Sequence, residues 1–314
     1  MSVKTTVRQV VRQFGYEIIK ASYLSPEAFP PGHFYSAIPS LPEVIERASA
    51  IFSKSADMPG IELNIEAQIQ TLKNFKAMEA NPPFYLEQGK RRFNIENDSF
   101  SYDDAPILHY MMRQLRPKKI IEIGSGNSSA CMLDTSEFYL SDSVELSFID
   151  LNCDNLRKNL LEKDFARITI LEQPIQKVDL SIFSALRSND LLFVDSSHVI
   201  KVGSDLHTIL FEVLPMLSPG VSIHFHDIRY PFQYQKDDVM NGVFWNEAYL
   251  LRAFLMNNEN YEIAFWLNCL INAQRPEVTD LLEFLPLSGW AKRFNKGVND
   301  FSSASSSIYI TKRR

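Results

Sequence analysis

The segment Lys118 to Leu133, KKIIEIGSGNSSACML, constrains this chain more than any other. Ile120, Ile121 and Ile123 make an apolar run short enough for a buried parallel strand, interrupted near its end by Glu122. Gly124-Ser125-Gly126 then turns the chain, and Asn127, Ser128 or Ser129 can cap a helix carrying Ala130, Met132 and Leu133. A strand, a glycine turn and a helix N-terminus in succession are how open α/β sheets hold a nucleotide-like ligand.

The alternation continues beyond this unit. Apolar runs at 144–149, 167–171, 190–194 and 221–225 predict strands, with helical stretches at 129–138, 155–163, 180–187 and 205–217 between them. Such βα repeats predict a Rossmann-like, mostly parallel sheet with right-handed crossovers and helices on both faces. A helix at 246–257 and strands at 262–267 and 307–311 bring the expected count to seven.

The first hundred residues read differently. Val7, Val10, Val11, Phe14 and Ile18 predict an amphipathic helix over 3–20. Prolines and aromatics crowd 25–42, a stretch that is either a surface linker or an ordered arm across a groove. Its Gly32-His33-Phe34-Tyr35-Ser36 core is too apolar for a free linker and favours the arm. Ser40 and Glu43 form a capping box for a helix to about Phe52, and Ile65, Ile69, Leu72, Phe75 and Met78 predict another over 64–80. The expected organisation is therefore a helical extension over 1–100, acting as a substrate lid or an oligomerisation surface, and a sheet domain over 101–314.

Composition narrows the function. A formal net charge of −6 argues against a general nucleic-acid binder, which needs a basic face for phosphates. Cys131, Cys153 and Cys269 are scattered without metal-ligand spacing, as in a cytoplasmic protein with reduced thiols. No run reaches the length of a membrane span, and the first residues lack a signal-peptide core.

In such sheets ligands sit beyond the carboxyl ends of the strands. Asp150, closing the second strand, is placed either to accept from ribose hydroxyls or to cap the next helix. Gln173 and Gln176 follow the third strand, within reach of an adenine edge. Four of the six histidines fall between 198 and 226. FVDSSH puts Asp195 and His198 on the loop after the fourth strand, and VSIHFHDI puts His226 and Asp227 beyond the fifth. Asp195, His226 and Asp227 can converge on one divalent cation, a mixed oxygen and nitrogen set suited to Mg²⁺, Mn²⁺ or Fe²⁺. His198 then lies over the same space as a near-neutral general base. Asp195 and Asp227 could equally cap the segments that follow them, His224 could be a core histidine, and His207 reads as packing or solvated.

Two cofactor readings meet at the glycine turn. A dinucleotide fingerprint wants a third glycine where Ser129 stands. Glu122, Gly124 and Gly126 instead match the E/D-x-G-x-G motif, and the stretch resembles the first motif of class I S-adenosyl-L-methionine (SAM) methyltransferases. FVDSSHVIKVGSDLHTIL with LPMLSPGVSIHFHDI further resembles the macrocin-type O-methyltransferases over about residues 100–230. That resemblance implies SAM held by Glu122, Gly124, Ser125, Gly126, Asn127, Asp150, Gln176 and Tyr102. It also implies a metal ligand at Asp195, a catalytic histidine at His198 and a paired acidic element after the fifth strand. Here His226 replaces the first acid of that pair and Asp227 is the second, which puts the metal in question. The implied activity is methyl transfer to a hydroxyl of a small molecule, of sugar or natural-product type, and exposed helices in the extension make a homodimer reasonable. Tyr102, with His33, Phe34 and Tyr35, is also a candidate for the substrate wall. Rival readings are a metal-dependent oxygenase or hydroxylase on the same sheet, a non-catalytic SAM-binding protein, and a nicotinamide dehydrogenase, which Ser129 and Glu122 disfavour.

Overall fold

Short runs of Ile, Leu, Val and Phe become the strands of one seven-stranded sheet: β1 (Lys119–Ile123), β2 (Glu145–Asp150), β3 (Ile168–Glu172), β4 (Leu191–Val194), β5 (Ser222–Phe225), β6 (Tyr261–Phe265) and β7 (Ile308–Lys312). The computed structural model describes residues 7, 11, 13, 29–53, 57–78, 91–273, 275–293 and 304–314. The strand order is β3-β2-β1-β4-β5-β7-β6. Strands β1 to β5 pair in parallel, and β7 runs antiparallel between β5 and β6. The mostly parallel Rossmann-like sheet with helices on both faces is thus present, including its reversed last strand.

The period of two along each strand sorts its residues between two cores. Ile120, Phe148, Leu191 and Phe193 pack on one face with the Asp104–Leu115 and Asn127–Tyr139 helices. Ile121, Ile123, Leu192, Val194, Ile223 and Phe225 pack on the other. Order reverses between β1 and β4, and the register there sets Ile123 beside both Ile149 and Val194, with Val194 beside Phe225. Gly124, Asp150, Asp195 and His226 therefore emerge side by side at one sheet edge, the crevice where open α/β sheets bind ligands.

The chain divides into two compact units, residues 1–53 and 54–314, and the sheet lies in the second. The Ile65–Ala77 helix belongs to that second unit and buries Ile69, Leu72 and Phe75 in its core. In the first unit Phe29 stacks on His33 and meets Tyr35 at a tilt, and Phe34 meets Tyr35 edge-on, with Phe34 and Tyr35 exposed. The helix expected over 3–20 and the end of the one expected over 64–80 lie outside the described residues.

Several local expectations change. Ser40 precedes the Leu41–Glu46 helix without a side-chain cap, because Pro42 removes one of the first-turn donors a cap would satisfy. The 180–187 stretch forms a 3₁₀ turn, Leu180–Ala185, rather than an α-helix. The helix expected over 205–217 widens into a π segment, Ile209–Val213, ahead of Pro215, whose missing N–H disrupts the regular ladder. The helix expected over 155–163 shortens to Asp154–Asn159, followed by a 3₁₀ turn, Glu162–Ala166.

A buried ion network anchors the segment before the sheet. Arg92 pairs with Asp134 at 2.9 Å, Asp164 at 2.5 Å and Glu137 at 2.7 Å, and its side chain is wholly buried. Asp134 also accepts the backbone N–H groups of Arg92 and Phe93. No helix among the described residues is long and apolar enough to cross a membrane.

Candidate active site

The glycine turn depends on one glycine in particular. Gly124 has φ +84°, and a Cβ there would lie 1.9 Å from the Asp195 carbonyl oxygen. Only a residue without Cβ lets β1 and β4 end this close together. Gly124 N–H donates to Ile149 O at 2.9 Å, and Asp195 N–H to Ile123 O at 2.8 Å. The Ser125 N–H donates to the Asp150 carboxylate at 2.7 Å and the Ser125 hydroxyl at 3.1 Å. Of the two roles open to Asp150, capping the next helix falls away, since Cys153 holds the N-cap of Asp154–Asn159.

Gly126, rather than Asn127 or a serine, is the N-cap of the Asn127–Tyr139 helix. Ser129 stands where a dinucleotide site has its third glycine, and its hydroxyl has work there. It donates to Glu122, while its oxygen accepts the Gly126 N–H at 3.0 Å. Ser128 donates to the other Glu122 oxygen. Glu122 is fully buried beneath the turn, so it organises the helix start and is not exposed to a ligand. Burial pushes its carboxyl up to about 8, with the two serine hydroxyls pulling the other way.

That shift yields a stability prediction. The native state holds the Glu122 proton more tightly than the unfolded chain does, so this group's contribution falls as pH rises from 4.5 towards 8. Glu122→Gln removes the titration. The variant should therefore gain stability relative to wild type between about pH 5 and about pH 9, read as the difference in Tm by differential scanning fluorimetry. A constant difference across that range would refute it.

A cavity of about 570 Å³ opens at the switch point, within the range of small-ligand sites. Gly124, Ser125, Asp150, Gln176, Asp195 and Lys201 are among its lining residues. Gln176 also closes its rim, donating to Gly203 O at 2.8 Å. Four expected cofactor residues do not line it. Glu122 lies beneath the turn, and Gly126 serves as the N-cap of the helix that follows it. Asn127 donates to Ser99 Oγ at 3.0 Å. Tyr102 bonds Glu96 at 3.2 Å and packs its ring where a Cβ on Gly289 would stand, so tertiary packing draws it elsewhere.

Beside the cavity lies a cluster of acids and imidazoles. His198 Nε2 is 3.3 Å from Asp195 Oδ1 and 3.6 Å from Asp227 Oδ2. His226 Nδ1 is 3.6 Å from both of those carboxylates. Behind each imidazole stands a buried acid: Glu247 Oε2 is 2.7 Å from His198 Nδ1, and Asp104 Oδ2 is 3.5 Å from His226 Nε2. Asp104 also accepts from the Ser305 and Ser307 hydroxyls at 2.9 Å and 2.6 Å. His198 and Asp227 both hold left-handed backbone, φ 59° and 58°, a departure that concentrates at functional sites in residues with a Cβ.

These contacts set the charges. Burial opposes protonation of His198, yet Asp195, Glu247 and Asp227 outweigh it and hold the imidazole up to about 10. The near-neutral histidine expected from sequence is thus an imidazolium while those carboxylates are uncompensated. His226 is likewise held well above its usual value, against its burial, by Asp227, Asp195 and Asp104. Burial works against ionisation of Asp195 and Asp227 too, but the two imidazoles keep both below the usual carboxylate range. His224 is a neutral core histidine, driven down to about 3 by burial and by His226, stacked 3.8 Å from Phe193 and bonded to Ser307.

Donor atoms of Asp195, His198 and Asp227 lie within 4.8 Å of one another, a set that fits a small divalent cation. His226 Nδ1, at 3.6 Å from the same two carboxylates, faces this set as well, while its Nε2 is turned to Asp104. Sequence reasoning missed Asp104 and Glu247. Both are acids in the first turn of amphipathic helices, which read as ordinary helix-start residues.

This strand order, with a left-handed glycine after β1 and an aspartate closing β2 over one cavity, defines a Rossmann-like sheet with a crevice of the kind that holds a nucleotide-type cofactor. Residues 121–228 match a family model described as a methyltransferase domain. The chain is 34% identical over 167 residues to an uncharacterised protein of Archaeoglobus fulgidus, covering 51% of this chain and 75% of that one. The family match is thus to the central part of the sheet, from β1 to the loop after β5. Among solved structures it is similar to the CmcI-N160 apo-structure, at 19% identity and a TM-score of 0.36, over 51% of this chain and 63% of that one. It is also similar to the O-methyltransferase TomG from Streptomyces achromogenes, at 11% identity and a TM-score of 0.39, over 87% and 96% of the two chains.

Proposed function

We propose that the protein transfers the methyl group of SAM to a hydroxyl of a small molecule, in the manner of the macrocin-type O-methyltransferases, and that His198 is its general base. One observation carries the reading. Asp195 belongs both to the cavity wall and to the histidine cluster: its carbonyl packs on Gly124 while its carboxylate meets His198 and His226. That shared residue supports a base at His198, beside the cavity that would take the cofactor.

When bound, SAM supplies an electrophilic sulfonium methyl. Ser125 and Asp150 offer polar groups to the nucleoside part of the cofactor, and Gln176 stands at the rim. Asp195 and Asp227 would hold a divalent cation, Mg²⁺ by its oxygen preference, with His226 Nδ1 facing both carboxylates. Such a cation would lower the pKa of an acceptor hydroxyl. His198 Nε2 takes the acceptor proton, and most of the rate gain comes from holding oxygen, methyl and sulfur in line. The helical extension serves as a lid or a dimer contact, and the three buried, unpaired cysteines suit a cytoplasmic protein.

Calorimetric titration of the EDTA-treated protein with S-adenosylhomocysteine, then with NAD, tests the reading. Micromolar binding of the first and none of the second supports it, and binding of neither removes the cavity as a cofactor site. The charge state of His198 adds a pH prediction. With carboxylates holding its pKa near 10, the rate should climb on the alkaline side, since the base works only when deprotonated. Added Mg²⁺ should move that ascending limb to lower pH, measured with an acceptor found by screening hydroxylated sugars and phenols. An unmoved limb would count against a cation at Asp195 and Asp227.

A further inference from the structure

We propose that Glu247, with Asn246 beside it, is the positioning element for His198, fixing both its backbone and the ring nitrogen that faces the reaction. The proposal rests on the reading of His198 as the general base. The loop after β4 carries His198 in left-handed backbone, which a residue with a Cβ keeps only when its surroundings hold it. Those restraints converge from one place. The N–H groups of Asn246 and Glu247 both donate to the His198 carbonyl, at 3.0 Å and 3.2 Å. The Asn246 side-chain oxygen accepts the Ile200 N–H at 2.7 Å. On the other side, the His198 N–H donates to Ser196 Oγ at 3.1 Å.

The same helix start sets the ring. Glu247 Oε2 stands 2.7 Å from His198 Nδ1, and the Glu247 side chain is almost completely buried. The Trp245 ring packs on the imidazole with centroids 4.3 Å apart. A carboxylate at Nδ1 makes that nitrogen the donor, leaving Nε2, which faces Asp195 and Asp227, to take the proton of the acceptor. The Ser196 hydroxyl lies 3.4 Å from Glu247 Oε1, so both ends of the loop's turn meet the same acid. Glu247 does not itself line the cavity, and its contact with a lining residue is the one with Ser196. It acts through His198.

Proton–nitrogen NMR on the full chain labelled with ¹⁵N-histidine tests this without a known acceptor. The His198→Ala variant assigns the His198 signals, and calorimetry with S-adenosylhomocysteine runs on every variant. Wild type should show a slowly exchanging Nδ1–H resonance from His198. Glu247→Leu, which keeps the volume and removes the acceptor, should lose it, while Glu247→Gln, which keeps an acceptor oxygen, should retain it. Homocysteine-product affinity should stay within about twofold in both variants. A His198 Nδ1–H signal absent from wild type, or unchanged in Glu247→Leu, overturns the positioning role even where the cofactor product binds normally. Failure of wild type to bind S-adenosylhomocysteine instead overturns the methyl-transfer reading on which the proposal stands.

Discussion

His198→Ala is expected to lower the rate of methyl transfer by about 10²–10⁴-fold, the usual contribution of a positioned general base, while leaving S-adenosylhomocysteine binding intact. The separation follows from geometry. His198 is not among the residues lining the cavity, yet its Nε2 reaches Asp195, which is. Product release measured with a hydroxyl acceptor, beside calorimetry with S-adenosylhomocysteine, reads the two quantities independently. The substitution also leaves Glu247 buried without its imidazole, and removing one partner of a buried pair typically costs about 3–5 kcal/mol. His198→Asn, which leaves an amide in that space, separates loss of the base from loss of the fold. A wild-type rate in a folded variant would transfer the base role elsewhere or favour a protein that binds the cofactor without turning it over.

Gly124→Ala should be the most damaging alanine substitution among the described glycines. Its Cβ would fall 1.9 Å from the Asp195 carbonyl oxygen, 3.0 Å from the carbonyl carbon and 3.3 Å from the Asp195 Cβ. None of these can yield cheaply, because Asp195 N–H is tied to Ile123 in the sheet. The left-handed backbone adds about 1 kcal/mol for a residue with a Cβ. Separation of β1 from β4 is the only relief, and it opens the cavity's floor. Loss of S-adenosylhomocysteine binding by more than about 100-fold and a fall in Tm of about 10 °C are expected. Gly203→Ala is the internal control. It shares the left-handed backbone, φ +71°, but nothing lies within 4 Å of its Cβ, so only the backbone cost remains. Equal effects at the two glycines would mean that backbone conformation alone, rather than the approach of Asp195, dictates the turn.

The acid and imidazole cluster explains why the site's protonation could not be read from its residue types. His198 taken alone suggests an imidazole near neutrality. In the structure three carboxylates surround it, from the loops after β4 and β5 and from the Glu247–Leu255 helix, and together they hold its proton. His226 raises the same point for the metal. It follows β5 where the macrocin-type pattern has an acid, and Asp104, from a helix that precedes the whole sheet, meets its Nε2 while its Nδ1 faces Asp195 and Asp227.

What the sequence by itself determined is the sheet. Each strand's apolar run and each connection's turn chemistry are local, so the βα alternation, the reversed final strand and the residues closing β1, β2, β4 and β5 could be read along the chain. Two details depart from the helical pattern: the π segment ahead of Pro215, which lacks the N–H a regular ladder needs, and the 3₁₀ turn at Leu180–Ala185. Only the tertiary structure decided which groups meet. Glu247 reaches His198 across 49 residues, Asp104 reaches the serines before β7 across more than 200, and Tyr102 is withdrawn from the cavity towards Gly289. Periodicity reports which face of an element is buried. It carries no information on which buried acid will stand behind which imidazole, because that depends on elements distant in sequence closing over the same few ångströms.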